Sequence, residues 1–182
     1  MRAFQYQQRM YGLVPYNISP IQQGIQFGHA VVEYGLSQTQ QDSTDTELSP
    51  YNQWAHNDKT FIILNGGTTN NSRMALDNYG TLNKAKDELA QMGIQTATFY
   101  EPDLGDQLTA VVFLVDERVF DRETYPDYID IPYDIDKDGE SENTIKQWED
   151  NNSMNRAKWE EKIGGEKNDF LRTWLKNFRL AN

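Results

Sequence analysis

The run Thr60-Phe-Ile-Ile-Leu-Asn65 constrains this chain more than any other stretch. An unbroken apolar run between polar ends, closed by Gly66-Gly67, is the pattern of a strand buried on both faces. Such a strand needs cover above and below, and the flanking sequence supplies helices. Upstream, Ser19-Pro20 gives a hydroxyl cap with proline at the first helical position. The helix it opens is predicted to run to about Tyr34, with Ile21, Ile25, Gly28, Val32 and Leu36 on one face and Gly35 as its stop. Downstream, Leu76–Met92 reads as a second helix: Leu82, Ala85, Leu89 and Met92 recur at helical spacing and Gly93 ends it. Met10–Pro15, Ile94–Tyr100 and Leu108–Val115 read as further strands, Pro15 marking the end of the first. The order β-α-β-α-β-β implies an α/β domain over residues 1–120: a small mixed sheet of about four strands with helices on both faces.

Residues 121–182 differ in character. The stretch 121–142 is too acidic for a strand or helix interior and is expected to be extended. Ser153–Ile163 reads as a helix, and so does Asn168–Leu180. In the latter Phe170, Leu171, Trp174, Leu175 and Phe178 form one apolar stripe, expected to dock on the core or on a second copy of the chain. This region is therefore predicted to be an acidic segment followed by C-terminal helices. Between Ser37 and Asp58 the composition turns to Ser, Thr, Gln and Asp, a surface loop pinned at its second half by Tyr51 and Trp54.

Charge and cysteine usage exclude several classes of function. The formal net charge is −11, and residues 1–116 carry 6 Lys/Arg against 12 Asp/Glu. Strong acidity opposes undirected adhesion to nucleic acid, because phosphate contacts need cations. There is no cysteine, which rules out a thiolate metal site, a disulfide scaffold and a thiol nucleophile. No apolar run reaches the ~18 residues of a membrane helix, and Met1–Met10 is too polar for a signal peptide. The expectation is a cytoplasmic protein that does not engage membranes.

Four places could carry chemistry. His29 lies in the first helix within Gln26-Phe27-Gly28-His29-Ala30, either as an inert half-buried side chain or as a proton carrier near neutral pH. Glu101, Asp103 and Asp106 occupy the loop between the last two strands, with Thr109 opening the strand that follows. Asn65-Gly-Gly-Thr-Thr-Asn70 could hold an anion on exposed amides, although it lacks a nucleotide-loop spacing. Asp134-Ile-Asp-Lys-Asp-Gly139 starts like a calcium loop, but Ile145 stands where the bidentate glutamate belongs, so an acidic turn is the better reading. His56 has no partner at metal-ligand spacing.

Taken together, these residues resemble a known family. A strand, then Gly24-Ile-Gln26-Phe-Gly-His29-Ala30, a buried strand, a helix and Tyr100-Glu-Pro-Asp103…Leu108-Thr109-Ala-Val are similar in order to the type 2 (archaeal and eukaryotic-type) peptidyl-tRNA hydrolases. Their short bacteriophage-encoded versions are the nearest in form. The resemblance covers roughly residues 8–117. It implies hydrolysis of the ester joining a peptide to the tRNA 3′-terminal ribose, in host cytoplasm if the chain is phage-encoded. It further implies His29, Asp103 and Thr109 as catalytic residues, and Gln26, Gln22, Gln107 and Asn65 as substrate-binding ones. The scheme needs no metal and no cofactor. The chain departs from the family in having Pro20 and Gln22 where the family has lysines, and Gln107 where it has a threonine. Those changes remove cations that would meet tRNA phosphates. A catalytically inactive binding module on the same fold, engaging a protein or nucleic acid through the acidic segment or the last helix, is the alternative.

Overall fold

The computed structural model of the protein describes residues 6–39, 49–69, 79–139 and 141–181. The chain divides into two compact units: residues 1–117 together with 173–182, and residues 118–172.

That unit is a four-stranded sheet in the order β2-β1-β4-β3. Its strands are β1 (Gln8–Pro15), β2 (Thr60–Gly67), β3 (Thr96–Glu101) and β4 (Gln107–Asp116). β1 and β2 are parallel, and β4 is antiparallel to both β1 and β3. The sheet is mixed, and the C-terminal ends of β1, β2 and β3 lie at the same end as the start of β4. The central strands are β1 and β4, whose residues are almost all buried. The apolar run 60–65 that looked doubly buried forms the edge strand β2, and Phe61 is half exposed. What covers that edge is the chain's own C-terminal segment. Asn65 donates its N–H to the Arg179 carbonyl at 2.8 Å, and Ala181 donates to Ile63 at 3.0 Å. Two outward backbone groups of the edge strand, the Asn65 N–H and the Ile63 carbonyl, are thereby paired.

One face of the sheet is covered by α1 (Pro20–Thr39), together with α2 (Pro50–Gln53) and the π-helical turn Trp54–Asp58. Met10, Val14, Ala97, Ala110 and Val112 pack there against Phe27, Ala30, Tyr34 and Trp54. Gly12 lets α1 come close: a Cβ at this position would sit 2.3 Å from the Phe27 ring. Tyr34 is buried in this layer, and burial pushes its phenol up from 10.0 to about 12, with neighbouring Tyr51 adding to the shift. The folded value lies above the unfolded one, so this stability is fully present below pH 10.0 and lost as pH rises through about 12. Tyr34→Phe is expected to move the midpoint of alkaline unfolding upward, followed by circular dichroism between pH 9 and 12. An unmoved midpoint would show that Tyr34 does not control alkaline stability.

On the opposite face α3 (Thr81–Gln91) buries Leu82, Ala85 and Leu89. Tyr11 stacks with Phe113 at 6.2 Å, and Trp174 meets Phe113 edge-on at 6.0 Å while its indole N–H donates to Glu88 at 2.6 Å. Trp174, within the expected last helix, is thus packed on the core, and the helix is shorter than its sequence suggests. α7 spans Glu166–Trp174, and a 3-10 turn, Leu175–Asn177, releases the chain to an extended segment. The backbone groups of 179 and 181 bond β2 instead of continuing a helix.

α1 turns its aliphatic stripe outward. The stripe Ile21, Ile25, Gly28, Val32, Leu36 does share one face, but Ile21 is 76% exposed and Val32 61%. The buried face consists of Gln23, Gln26, Phe27, Ala30 and Tyr34. Two glutamines go under because their amides are satisfied: Gln23 Nε2 donates to the Pro15 and Ile18 carbonyls at 3.2 and 3.4 Å. A buried amide with its partners costs little, so the helix can turn its aliphatic stripe outward.

The second unit is the acidic segment laid along a long helix. After α4 (Glu117–Phe120), residues 121–134 are irregular, and α5 (Ile135–Asp138) is a single turn. α6 runs Glu142–Ile163, starting well before the predicted Ser153 because Ser141 caps it through the Thr144 N–H. Asn152 holds both backbone groups of Ile131, accepting from its N–H at 3.2 Å and donating to its carbonyl at 3.0 Å. Trp148 and Trp159 donate to the carbonyls of Ile131 and Pro126. Aromatic anchors and backbone bonds let so acidic a stretch dock without an apolar strand. At the centre Arg172, 1% exposed, donates to the Arg118 carbonyl at 2.5 Å, the Tyr125 carbonyl at 2.6 Å and Asp127 at 2.8 Å.

Among the described residues no helix is long and apolar enough to cross a membrane, and no group of His, Asp and Glu is arranged to hold a metal ion. Asp134 caps α5 and pairs with Lys137 at 3.1 Å, which is the acidic-turn arrangement.

Candidate functional site

The sheet end that gathers three strand termini also carries the best-organised polar cluster of the first unit. Its origin is an irregularity in β4. Phe99 pairs with Ala110 and Tyr100 with Leu108, leaving Thr109 as an extra residue in the ladder. Ala110 and Val112 face α1, so strict alternation would send Thr109 to the other face. The bulge turns it back toward the helix. There its hydroxyl, fully buried, donates to Gln26 Oε1 at 2.7 Å.

That bond fixes the orientation of the Gln26 amide. Its Nε2 donates in turn to Glu101 Oε2 at 2.5 Å, at the last position of β3. The other oxygen of Glu101 accepts the Asp103 N–H at 3.4 Å and so caps the 3-10 turn Pro102–Leu104. A chain of hydrogen bonds thus runs from β4 through α1 to the β3–β4 loop. Asp103, next to its end, makes no side-chain hydrogen bond among the described residues.

Gln22, Gln26, Glu101 and Asp103 line a cleft of about 130 Å³ with Ile18 and Leu104. Ligand pockets for whole nucleotides run to roughly 300–1,000 Å³, so this one suits a small reacting group rather than an entire base and ribose. Two carboxylates and no lysine or arginine line it. Gln22 is set by a reciprocal cap: Ser19 donates its N–H to Gln22 Oε1 at 3.1 Å, and the Gln22 N–H reaches Ser19 Oγ at 3.3 Å.

Of the residues singled out in the sequence, the structure brings Gln22, Gln26 and Asp103 together at this cleft. Thr109 stands behind Gln26, where it can orient that amide but not touch a ligand. His29 is exposed and does not line the cleft. Its ring meets Phe99 edge-on at 4.4 Å. Gln107 pairs with Glu101 across the β3–β4 ladder and is half-buried. Asn65 lies on β2, at the opposite edge of the sheet, with its Oδ1 accepting the Gly67 N–H at 2.8 Å. The Thr68 N–H goes to Thr81 Oγ1 at 2.8 Å, and Asn70 lies outside the described residues. Two amides of the expected anion cradle, those of Gly67 and Thr68, are therefore taken up by protein oxygens. The same applies to Gly105, whose N–H goes to the Pro102 carbonyl at 3.0 Å, and to Asp106, bonded to Glu101 at 3.0 Å. Neither is available as an oxyanion donor.

Glu101 is the residue whose role was least visible beforehand, because nothing in a loop carboxylate announces a helix glutamine as its partner. Compared with family models, curated proteins and solved structures, the chain matches none of them.

Proposed function

We propose that the cleft hydrolyses a carboxylic ester of the peptidyl-tRNA class. The observation that supports this reading is the Thr109–Gln26–Glu101 chain. It joins two positions that the resemblance named, one on a helix and one on the last strand, to the loop carrying the third, Asp103. Asp103 takes a proton from water as the hydroxide oxygen bonds to the ester carbonyl carbon. The tetrahedral species collapses with loss of the ribose 3′-oxygen, to which the proton returns, leaving a peptide carboxylic acid and free tRNA. Gln22, with Oε1 occupied by Ser19, offers its Nε2 to the developing oxyanion. Gln26 and Thr109 are positioning residues that hold Glu101 and hence the turn bearing Asp103.

The second reading, a binding module, draws support from the absence of any cation lining the cleft. Incubation of the purified chain with an N-blocked aminoacyl-tRNA separates the two. Release of free tRNA is expected, with a rate that falls only gently as salt rises, because few cations meet phosphate. No release at any ionic strength overturns the hydrolase and leaves the binding module.

A further inference from the structure

The outer edge of β2 receives an extended strand, and the fold shows which strand fits it. Leu180 lies antiparallel opposite Leu64. On either side the Asn65 N–H bonds to Arg179 at 2.8 Å and the Ala181 N–H to Ile63 at 3.0 Å. These two bonds frame the Leu64–Leu180 pair and set Ala181 across from Ile63, both of them packed against the core under α1. The firm anchor of the segment lies earlier in the chain. Trp174 is buried against Phe113 and bonded to Glu88, and the 3-10 turn Leu175–Asn177 follows it. Beyond the turn Phe178 leans on Trp174 at 4.5 Å, and Leu180 is 64% exposed. Among the described residues, two backbone bonds tie residues 179–181 to β2. Both run between main-chain groups, so the same segment from any copy of the chain makes them equally well. We propose that β2 of one molecule accepts residues 179–181 of a second molecule and yields its own in return, as a two-fold swapped dimer hinged at Leu175–Asn177.

Charge selects a second copy as the donor. The chain carries a net charge of −11, yet residues 173–182 contain Lys176 and Arg179 and no Asp or Glu. The segment is therefore drawn to the acidic body of another molecule, and in a two-fold exchange each copy supplies one such segment and receives one. Two hydrogen bonds on an open edge are a weak hold. A segment on a short tether competes for its own site at roughly millimolar effective concentration. Exchange between molecules accordingly grows as the protein approaches that range.

The chain has no cysteine, so Ile63→Cys and Ala181→Cys chains each carry a single thiol. Cα atoms of such a cross-strand pair stand about 5.5 Å apart, within the span of a disulfide. Mixed and oxidised, the two chains should give a covalent heterodimer, because neither holds both thiols. The product should form several times faster than with Phe61→Cys in place of Ile63→Cys. Phe61 is half exposed, so random encounter would favour it, whereas docking in register favours position 63. Independently, sedimentation equilibrium of the wild type is expected to show the mass rising from 21.1 kDa toward twice that value as the protein approaches ~1 mM. Ala181→Pro removes the N–H given to Ile63 and should stay monomeric. Wild type that holds 21.1 kDa throughout overturns the proposal. So does a heterodimer that forms no faster from Ile63→Cys than from Phe61→Cys.

Discussion

Replacing Arg172 by alanine is expected to cost the second unit on the order of 3 kcal/mol, because hydrogen bonds to a charged group contribute about 1.5–3 kcal/mol each and this one serves two backbone carbonyls. The guanidinium is buried, and it gathers the Arg118 and Tyr125 carbonyls and Asp127 onto one planar group. Deleting it takes one donor from each of two carbonyls and from Asp127, which keeps its ion pair with Arg122, and removes a cation lying 5.5 Å from the Trp159 ring. Lysine should not rescue the loss, because a single ammonium cannot reproduce the forked geometry that serves all three acceptors. The readout is amide hydrogen exchange resolved by residue. Amides of α6 should lose protection, while those of β1 and β4 keep theirs. Undiminished protection of α6 in Arg172→Ala would mean that the aromatic anchors hold the acidic segment without it.

A loss of ~10²-fold or more in turnover, with little change in KM, is the expected result of Asp103→Asn in the peptidyl-tRNA cleavage assay. The substitution keeps the shape and removes the basicity, and it falls in an exposed turn whose backbone bonds do not involve the Asp103 side chain. Its counterpart is Glu101→Gln. Glu101 has both oxygens occupied, by Gln26 and by the Asp103 N–H, and an amide oxygen can still accept one of these bonds. A fall of only several-fold is expected there. The opposite ranking would move the role of base to Glu101 and make Asp103 a solvated bystander.

The sheet was legible from its apolar runs, and each of its strands stands within a few residues of its predicted place. Their order was less so. The run 60–65, which reads as buried on both faces, sits at the edge because its cover comes from residues 179–181, whose sequence reads as a helix tail. α1 shows a different limit. Periodicity placed Ile21, Ile25, Val32 and Leu36 on one face, but it does not say which face is buried. The burial of Gln26 rests on hydrogen bonds to Glu101 and Thr109, groups distant in sequence that a local pattern does not contain. Glu101, Asp103 and Thr109 stood out as a polar loop and the start of the strand after it, and Gln26 entered as a binding residue through the resemblance, but the bulge that turns Thr109 toward Gln26 leaves no mark in composition or spacing. His29 was equally prominent in the sequence, yet its ring meets Phe99 instead of lining the cleft.

The strip of backbone that closes the open side of β2 has a consequence for how the molecule is made. Ribosomes deliver the chain from the N-terminus, and β2 and its neighbours emerge complete once Asp116 has left the exit tunnel. The segment that pairs with β2 lies 65 residues further on, the distance from Asp116 to Ala181. At ~5–20 residues per second, the nascent sheet waits roughly 3–13 s with one row of N–H and C=O groups unpaired. The whole of residues 118–172 is translated within that interval. The first unit is thus finished last, and its final stitch is the tail of the polypeptide returning to a strand made several seconds earlier.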